Sequence, residues 1–154
     1  MILVFVEHGP DGLVDTSLET IRFARDLGAA GGGIPVDVVG VGVSQFADVL
    51  GAHGVRTAYD LVGDDVSAYC AAAWAAGVLT ARETSGAVVV TAAGTQRGNE
   101  VLAHAARVDA FSPREVGSDG PRLMGIGYNP DDVSSKASGR AIDLLWLGGQ
   151  IMVS

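Results

Sequence analysis

The fold is decided at the start of the chain, by residues 2–6, whose sequence is Ile-Leu-Val-Phe-Val. A short, continuous apolar run that is rich in β-branched residues predicts a strand buried on both faces. Residues 7–12 read Glu-His-Gly-Pro-Asp-Gly and are dense in turn formers, so we expect the strand to end there. A strand of this kind is typical of the centre of a parallel sheet.

A helix is expected directly after this turn. Asp15 or Thr16 can cap its start, and Glu19 lies at capping-box distance from Thr16. Four apolar residues then recur every three positions and predict its buried side: Leu18, Ile21, Ala24 and Leu27. Gly28 and the glycine run at 31–33 predict its end.

Two further strands are predicted at 36–43 and 57–62, on either side of a short helix that Ser44 would cap. The inner face of this helix is expected to consist of three residues: Phe46, Val49 and Leu50.

A long alanine-rich helix is predicted next. The acidic pair at 64–65, followed by Ser67, marks its start, and it should run to about Glu83. Trp74 and Val78 are four residues apart, so we expect both to anchor the helix to the sheet.

A fourth strand is predicted at 87–91 and a fourth helix at about 96–108. Its inward residues are expected to be Val101, Leu102, Ala105 and Val108. Strands and helices therefore alternate over residues 1–109, which predicts the α/β class with a doubly wound, mostly parallel, Rossmann-like sheet. After Ala110 the pattern changes, and we expect residues 110–154 to form a divergent tail with extra strands or partial disorder.

The net charge argues against two classes of partner, and the hydropathy argues against a membrane span. The formal charge of −8 and the pI near 4.6 disfavour nucleic acid and anionic membrane surfaces, because both need clustered Lys and Arg. The longest uncharged apolar run, Ala68 to Thr80, is shorter than the about 20 residues that cross a bilayer. The first residues carry neither a basic leader nor a small-residue cleavage site, so we expect a cytoplasmic protein without membrane insertion.

Patterns typical of metal binding and catalysis are missing from the sequence. Three histidines stand far apart and in no ligand spacing: His8, His53 and His104. Three serines stand at predicted helix starts and in no nucleophile elbow: Ser17, Ser44 and Ser67. The single cysteine, Cys70, begins an alanine-rich stretch without a basic neighbour, and we expect it to be buried and inert. We therefore assign no catalytic residue and no metal ligand, and we expect the protein not to be an enzyme.

One crevice is a candidate ligand site, because open parallel sheets bind ligands where the strand order reverses. If the first strand is central, this crevice lies between the loops at 7–12 and 91–98. The second loop leads into a helix whose free N–H groups can bind an anion, and Arg97 can contribute to this binding. The simpler interpretation of the loop is a tight turn at an interface. Neither a G-x-G-x-x-G after the first strand nor a P-loop lysine is present. Glu7 is a candidate general base or a structural carboxylate, and we favour the structural role.

Three stretches together resemble the alpha subunit of electron transfer flavoproteins. They are Ile-Leu-Val-Phe-Val-Glu-His at 2–8, Ser-Leu-Glu-Thr-Ile-Arg-Phe-Ala-Arg-Asp-Leu at 17–27, and Gly-Thr-Gln-Arg-Gly-Asn-Glu-Val-Leu-Ala at 94–103. Between them, Gly-Ala-His-Gly-Val-Arg-Thr-Ala-Tyr at 51–59 is similar to the family's passage from a short helix to the third strand. The resemblance covers about residues 1–109, the N-terminal domain of that subunit, and leaves out the C-terminal FAD-binding domain.

The resemblance implies an adenine nucleotide alpha hydrolase-like fold and a heterodimer with a beta subunit. Such a heterodimer carries electrons from flavin dehydrogenases, such as acyl-CoA dehydrogenases, to a membrane quinone reductase or another acceptor. In that family the N-terminal alpha domain is scaffold and interface, a second alpha domain holds most of the FAD, and the beta subunit holds AMP. No cofactor-binding residue is therefore assigned in this chain. Two alternatives stay open: a stand-alone domain that binds an adenine nucleotide such as AMP, and a partner-binding scaffold without a ligand.

The tail departs from the family pattern and resembles it only faintly, around residues 122–128. We consider three interpretations of residues 111–154: a divergent folded end, a truncated paralogue, or a reading-frame error that replaced the original continuation.

Overall fold

The strands and helices follow one another along the chain in the predicted alternating order. A computed structural model describes residues 1–111 and three short strands farther along. The strands are β1 (Ile2–Phe5), β2 (His8–Gly9), β3 (Gly12–Leu13), β4 (Val36–Val41), β5 (Ala58–Leu61), β6 (Val89–Ala92), β7 (Gly125–Ile126), β8 (Leu144–Leu147) and β9 (Gln150–Val153). The helices are α1 (Asp15–Ala30), α2 (Ala47–Ala52), α3 (Ala71–Ser85) and α4 (Gln96–Phe111), with 3-10 turns at Val43–Phe46 and Asp64–Val66.

One seven-stranded sheet, in the order β5-β4-β1-β6-β8-β9-β7, organises the molecule. The strands β5, β4, β1 and β6 are mutually parallel, and β8 joins β6 in antiparallel orientation. The chain moves outward from β1 to β4 and β5, and then crosses back to β6 on the other side of β1. This confirms the predicted α/β class and the doubly wound, Rossmann-like arrangement, and it places the reversal of strand order between β1 and β6.

The central strand β1 contributes side chains to two hydrophobic cores, because successive side chains of a strand point to opposite faces. Ile2 and Val4 belong to the core beneath α1 and α2, whereas Leu3 and Phe5 belong to the core beneath α3 and α4. All four residues of β1 are at most 1% exposed, and each large apolar side chain buried to this degree stabilises the fold by about 1.5–3 kcal/mol. The expectation of a strand buried on both faces is confirmed.

Four residues predicted to face inward from the helices are also buried. Trp74 and Val78 of α3 pack into one core, while Ile21 and Ala24 of α1 pack into the other. Gly28 of α1 allows a close approach at the amino end of the sheet, since a Cβ there would lie 2.3 Å from the carbonyl oxygen of Ile34.

The start of α1 differs from the prediction. The residue before the helix is Val14, and it makes no side-chain capping bond; Asp15 lies inside the first turn. The chain enters the helix from the β2–β3 hairpin, and the carbonyl of Val14 accepts the first helical hydrogen bonds from Ser17 and Leu18. The prediction that Asp15 or Thr16 caps this helix was therefore wrong.

The start of α3 also differs. The acidic pair at 64–65 opens a separate 3-10 turn, which the Ser67 hydroxyl closes by donating to the carbonyl of Asp64. The α-helix itself begins at Ala71, after Cys70 in extended conformation. Cys70 is exposed, because it precedes α3 and does not share the buried face of that alanine-rich helix. The prediction of a buried cysteine was therefore wrong.

Two apolar residues predicted to face inward are exposed. Val49 is 43% exposed, because α2 has only six residues and buries Leu50 alone. Val108 is 53% exposed, because the packed face of α4 ends at Ala105 and Ala106. Most of the tail at 110–154 lies outside the described residues, so the boundary at 109 and the expectations for the tail stay predictions.

Candidate functional site

A cleft of about 280 Å³ lies at the carboxyl end of β1, next to the point where the strand order reverses. Its floor comes from the ends of β1 and β4, and its wall from the segment between β5 and α3 and from the first turn of α4. The lining residues are Val6, Glu7, His8, Val41, Val66, Ser67, Tyr69, Trp74 and Arg97. The loops predicted to flank a crevice thus contribute Glu7, His8 and Arg97 to one cavity.

Glu7 is connected to the start of α4. The Thr95 hydroxyl donates a hydrogen bond to a carboxylate oxygen of Glu7, and it accepts one from the backbone N–H of Gly98 at 2.9 Å. Thr95 is therefore the N-cap of α4. A Cβ at position 98 would lie 2.2 Å from the carbonyl oxygen of Ala93, which makes glycine necessary for this tight turn. The negative charge of Glu7 lies where the positive end of the α4 dipole favours an anion.

An aromatic pair, Tyr69 and Trp74, lines the cleft. The rings of Tyr69 and Trp74 meet edge to face, with centroids 5.0 Å apart. Trp74 is anchored from below by Phe5, at 6.1 Å between centroids, and its indole N–H donates to the carbonyl of Val66 at 3.3 Å. The guanidinium carbon of Arg97 lies 4.7 Å from the Tyr69 centroid and 5.8 Å from that of Trp74, which is cation–π geometry.

Tyr69 is also bonded to α4. Its hydroxyl donates to a carboxylate oxygen of Glu100 at 2.5 Å. Burial and this hydrogen bond raise the pKa of Tyr69 to about 12, with Glu7 contributing in the same direction and Arg97 opposing it. The bond from Tyr69, with a second from Gln96, lowers the pKa of Glu100. The phenol therefore stays protonated at neutral pH and the carboxylate stays charged.

His8 closes the cleft on the side of β4. Its Nε2 lies 2.8 Å from the carbonyl oxygen of Val41, and its ring packs on Phe46 with centroids 5.1 Å apart. Because a carbonyl can only accept, Nε2 carries the proton in this contact.

Asp60 organises the backbone beside His8. Its carboxylate accepts hydrogen bonds from the N–H of Gly42 at 2.6 Å, the N–H of Ser44 at 3.1 Å and the Ser44 hydroxyl at 2.5 Å. Partial burial raises the pKa of Asp60, but the bonds from Ser44 and Gly42 outweigh it and the net shift is downward. The prediction that Ser44 caps the short helix was therefore wrong. Ser44 lies in the 3-10 turn before α2 and binds the carboxylate of Asp60, which caps that turn.

The remaining candidate residues lie apart from one another. Ser17 is buried, and its hydroxyl accepts a hydrogen bond from the backbone N–H of Glu7 at 2.9 Å. His53 lies at the end of α2 with Nδ1 2.8 Å from the carbonyl of Val49, and His104 lies on the exposed side of α4. Within the described residues there is no group of three or more His, Cys, Asp or Glu side chains able to hold a metal ion. Among the same residues, no helix is both long and apolar enough to span a membrane.

Sequence reasoning missed Tyr69 and Glu100 as parts of the site. They are 31 positions apart, so only the packing of α3 against α4 brings them together. Trp74 was predicted as a core anchor, which it is, but its contact with the cleft was not predicted. The spacing of Arg97 and Glu100 on one side of a predicted helix was the available signal.

A second groove of about 430 Å³ lies between β5 and α3. Its α3 side consists of small side chains: Ala73, Ala76, Gly77, Thr80, Ala81 and Thr84. The strand β5 is the outermost strand on this side of the sheet, and Val62, which follows it, is 84% exposed.

The sequence matches the model of a known protein family. The model of the electron transfer flavoprotein domain matches residues 2–110, which is well over half of the 154 residues. None of the curated proteins matches the chain in a sequence search. The chain therefore belongs to the electron transfer flavoprotein domain family.

Proposed function

We propose that this member of the electron transfer flavoprotein domain family is an alpha-type subunit that serves as scaffold and as interface for a beta-type partner. Electron transfer is then a property of the assembled complex, in which FAD is bound mainly outside residues 1–109. In such a complex the donors are flavin dehydrogenases, such as acyl-CoA dehydrogenases, and the chain itself catalyses no reaction. A cytoplasmic location is part of the same proposal.

The observation that carries this proposal is the small volume of the cleft at the carboxyl end of β1, together with the hydrogen bonds that already occupy the start of α4. At about 280 Å³ it lies below the roughly 300–1,000 Å³ typical of small-molecule sites, and it is far smaller than a flavin dinucleotide requires. The start of α4, where a pyrophosphate would be expected, is capped by Thr95, which is bonded to Glu7. This cleft therefore does not fit FAD.

The groove between β5 and α3 supports the interface. An outermost strand presents unpaired N–H and C=O groups, which proteins normally cover or protect. Here the adjacent groove is lined largely by small side chains, and the neighbouring Val62 is almost fully exposed. We propose that the beta-type partner covers this groove.

Co-expression with a beta-type subunit tests the proposal. We expect a one-to-one complex in size-exclusion chromatography, and we expect the chain purified alone to be colourless. Val62→Asp should weaken co-purification, because it places a charge in the proposed interface, whereas Phe23→Asp, on the exposed side of α1, should not. Failure to form a complex contradicts the proposal. A flavin absorption spectrum of the chain alone contradicts the part that concerns FAD.

A second candidate function is binding of an adenine nucleotide by the stand-alone domain. The observation in its favour is the position of the cleft, at the carboxyl ends of the strands beside the reversal of strand order. A ligand that binds only the native state raises the melting temperature by mass action. A rise with AMP therefore supports this candidate, and no rise at millimolar AMP contradicts it.

A further inference from the structure

We infer that the beta-type partner covers the groove between β5 and α3 with an extended segment, which adds a strand to the open edge of β5 and brings a basic side chain to Asp65. This inference rests on the proposed function and deepens it, because it names the kind of segment that occupies the groove. It requires main-chain hydrogen bonds between the two chains, which an interface made by side chains alone does not form.

The outer edge of β5 offers hydrogen-bonding groups to a further strand. The Thr57 carbonyl accepts a hydrogen bond from the N–H of Val38 at 2.9 Å, so this carbonyl faces β4. The N–H of Ala58 belongs to the same trans peptide and therefore points the other way. Backbone groups alternate along a strand, so the N–H of Asp60 points outward as well. Among the described strands none lies beyond β5, so this edge is open to a partner.

The helix α3 leaves room for the side chains of such a strand. Tyr59 and Leu61 of β5 pack into the core beneath α3, so an added strand would place its own side chains of that face beside the same helix. The helix presents small residues there, including Ala76 and Thr80. Gly77 allows α3 to lie close to β5, because a Cβ there would lie 2.6 Å from Cδ2 of Leu61. The groove of about 430 Å³ is therefore formed before a partner arrives.

Charge favours a basic partner over a second copy of this chain. Asp60 and Asp65 line the groove, and none of its described lining residues is Lys or Arg. The carboxylate of Asp60 accepts hydrogen bonds from Gly42 and Ser44, whereas that of Asp65 bonds to no other described residue. A second copy would bring the same acidic side chains and a formal charge of −8, and charges of one sign repel. A Lys or Arg on the added strand instead attracts Asp65.

Amide hydrogen exchange, followed by NMR on the chain alone and in its complex with a co-expressed beta-type subunit, tests for the added strand. We expect the N–H groups of Ala58 and Asp60 to exchange about tenfold more slowly, or slower still, in the complex, because each gains a hydrogen bond. Thr16, exposed in the first turn of α1, is the control and should exchange at the same rate in both samples.

The outcomes separate this inference from the proposed function. A complex that forms without slower exchange at Ala58 and Asp60 overturns the inference and leaves the proposed function standing. Failure to form a complex overturns both. Slower exchange at both residues in the chain alone, together with a mass of two chains, assigns the groove to a second copy and also overturns the inference.

Filling the groove tests its occupancy. Ala76→Trp places an indole on the exposed side of α3, where the added strand would lie, and should weaken the complex about tenfold or more in isothermal titration calorimetry. Ala103→Trp is the matched control, because it makes the same change at an exposed position of α4, which packs on β6. It should leave the affinity unchanged, and equal losses in the two variants overturn the inference.

Reversing the charge of Asp65 tests the basic side chain. Asp65→Lys should weaken the complex about threefold at low ionic strength, and the loss should shrink as salt screens the repulsion. Asp26→Lys, which reverses an exposed charge on α1, should change the affinity less. An Asp65→Lys variant that binds as tightly as the unmodified chain at low salt overturns the assignment of a basic segment.

Discussion

The two ends of the parallel sheet differ in how well a carboxylate is satisfied by hydrogen bonds. At the carboxyl end, Asp60 is partly exposed and accepts three hydrogen bonds, from Gly42 and Ser44. At the amino end, Asp37 is fully buried; its Oδ2 lies 3.3 Å from Arg56, and its Oδ1 has no partner within the described residues.

The difference follows from the direction of the chain. In a parallel α/β fold, helices begin at the carboxyl ends of the strands and present free N–H groups there, whereas they end at the amino ends and present free carbonyls. A carboxylate can only accept hydrogen bonds, so it is easily satisfied at the first end and poorly satisfied at the second. Polar side chains able to build a site therefore gather at the carboxyl end, where the cleft lies.

Truncation of Trp74 should have the largest effect, because it removes the wall that joins the cleft to the core. Trp74→Ala loses the contact with Phe5 and the bond to Val66, and we expect the free energy of unfolding to fall by about 4 kcal/mol. Urea denaturation measures this change. Trp74→Phe retains a ring and should lose less than half as much; equal losses would show that aromatic packing does not hold this end together.

Removal of Arg56 tests the amino end. Arg56→Ala leaves the buried carboxylate of Asp37 without its partner, so we expect a loss of about 2 kcal/mol in the free energy of unfolding at neutral pH, moderated because Arg56 is half exposed. Arg22→Ala, on the exposed side of α1, is the control and should change stability little. Combining Arg56→Ala with Asp37→Asn should recover part of the loss. If Arg56→Ala and Arg22→Ala are equally stable, Arg56 does not stabilise the buried carboxylate of Asp37.

Neutralising Asp60 should cost less, about 1 kcal/mol, which is typical of a lost cap. Its pKa is lowered below 3.8 in the folded state, so its charge stabilises the fold above pH 3.8, and this contribution is lost as the pH falls through the lowered pKa. The difference between the unmodified chain and Asp60→Asn should therefore be full at neutral pH and shrink in acid. Asp26→Asn, exposed on α1, should show a smaller and flatter difference across the same pH range.

The smallest expected effect on stability is that of Tyr69→Phe. Losing the phenol should raise the pKa of Glu100 toward its ordinary value of 4.5, because the hydrogen bond from Tyr69 is the main cause of its lowering. The variant should be slightly less stable above pH 4.5, and the difference should vanish as the pH falls through the lowered pKa. Carboxyl NMR titration of Glu100 measures the shift. An unchanged pKa would mean that this bond is not formed in solution.

The sequence was sufficient for features that depend on local pattern alone. The uninterrupted apolar run of β1 and the spacing of Trp74 and Val78 predicted their burial correctly, because hydrophobic periodicity reports which side faces the core. The position of the cleft followed from strand order, once β1 was taken as central.

Features that depend on tertiary contact were not predictable. Asp64 and Ser67 match a helix start equally well whether they open an α-helix or close a 3-10 turn, and the chain uses them for the turn. The same holds for the pairing of Tyr69 with Glu100 and of Asp60 with Ser44, because each joins side chains from separate elements. Their residue types are ordinary for exposed positions, and the spacing of Arg97 and Glu100 on one side of a helix does not show which residue Glu100 would bind.

The central place of β1 also has a consequence for how the chain folds during its synthesis. One parallel partner of β1 begins at Val36, but the other begins at Val89, and the bond between Glu7 and Thr95 spans 88 positions. At typical elongation rates of about 5–20 residues per second, β6 is synthesised on the order of ten seconds after β1. During that time one edge of the apolar strand β1 is unpaired. The pairing of β6 with β1 is therefore the folding step most prone to misassembly on the ribosome.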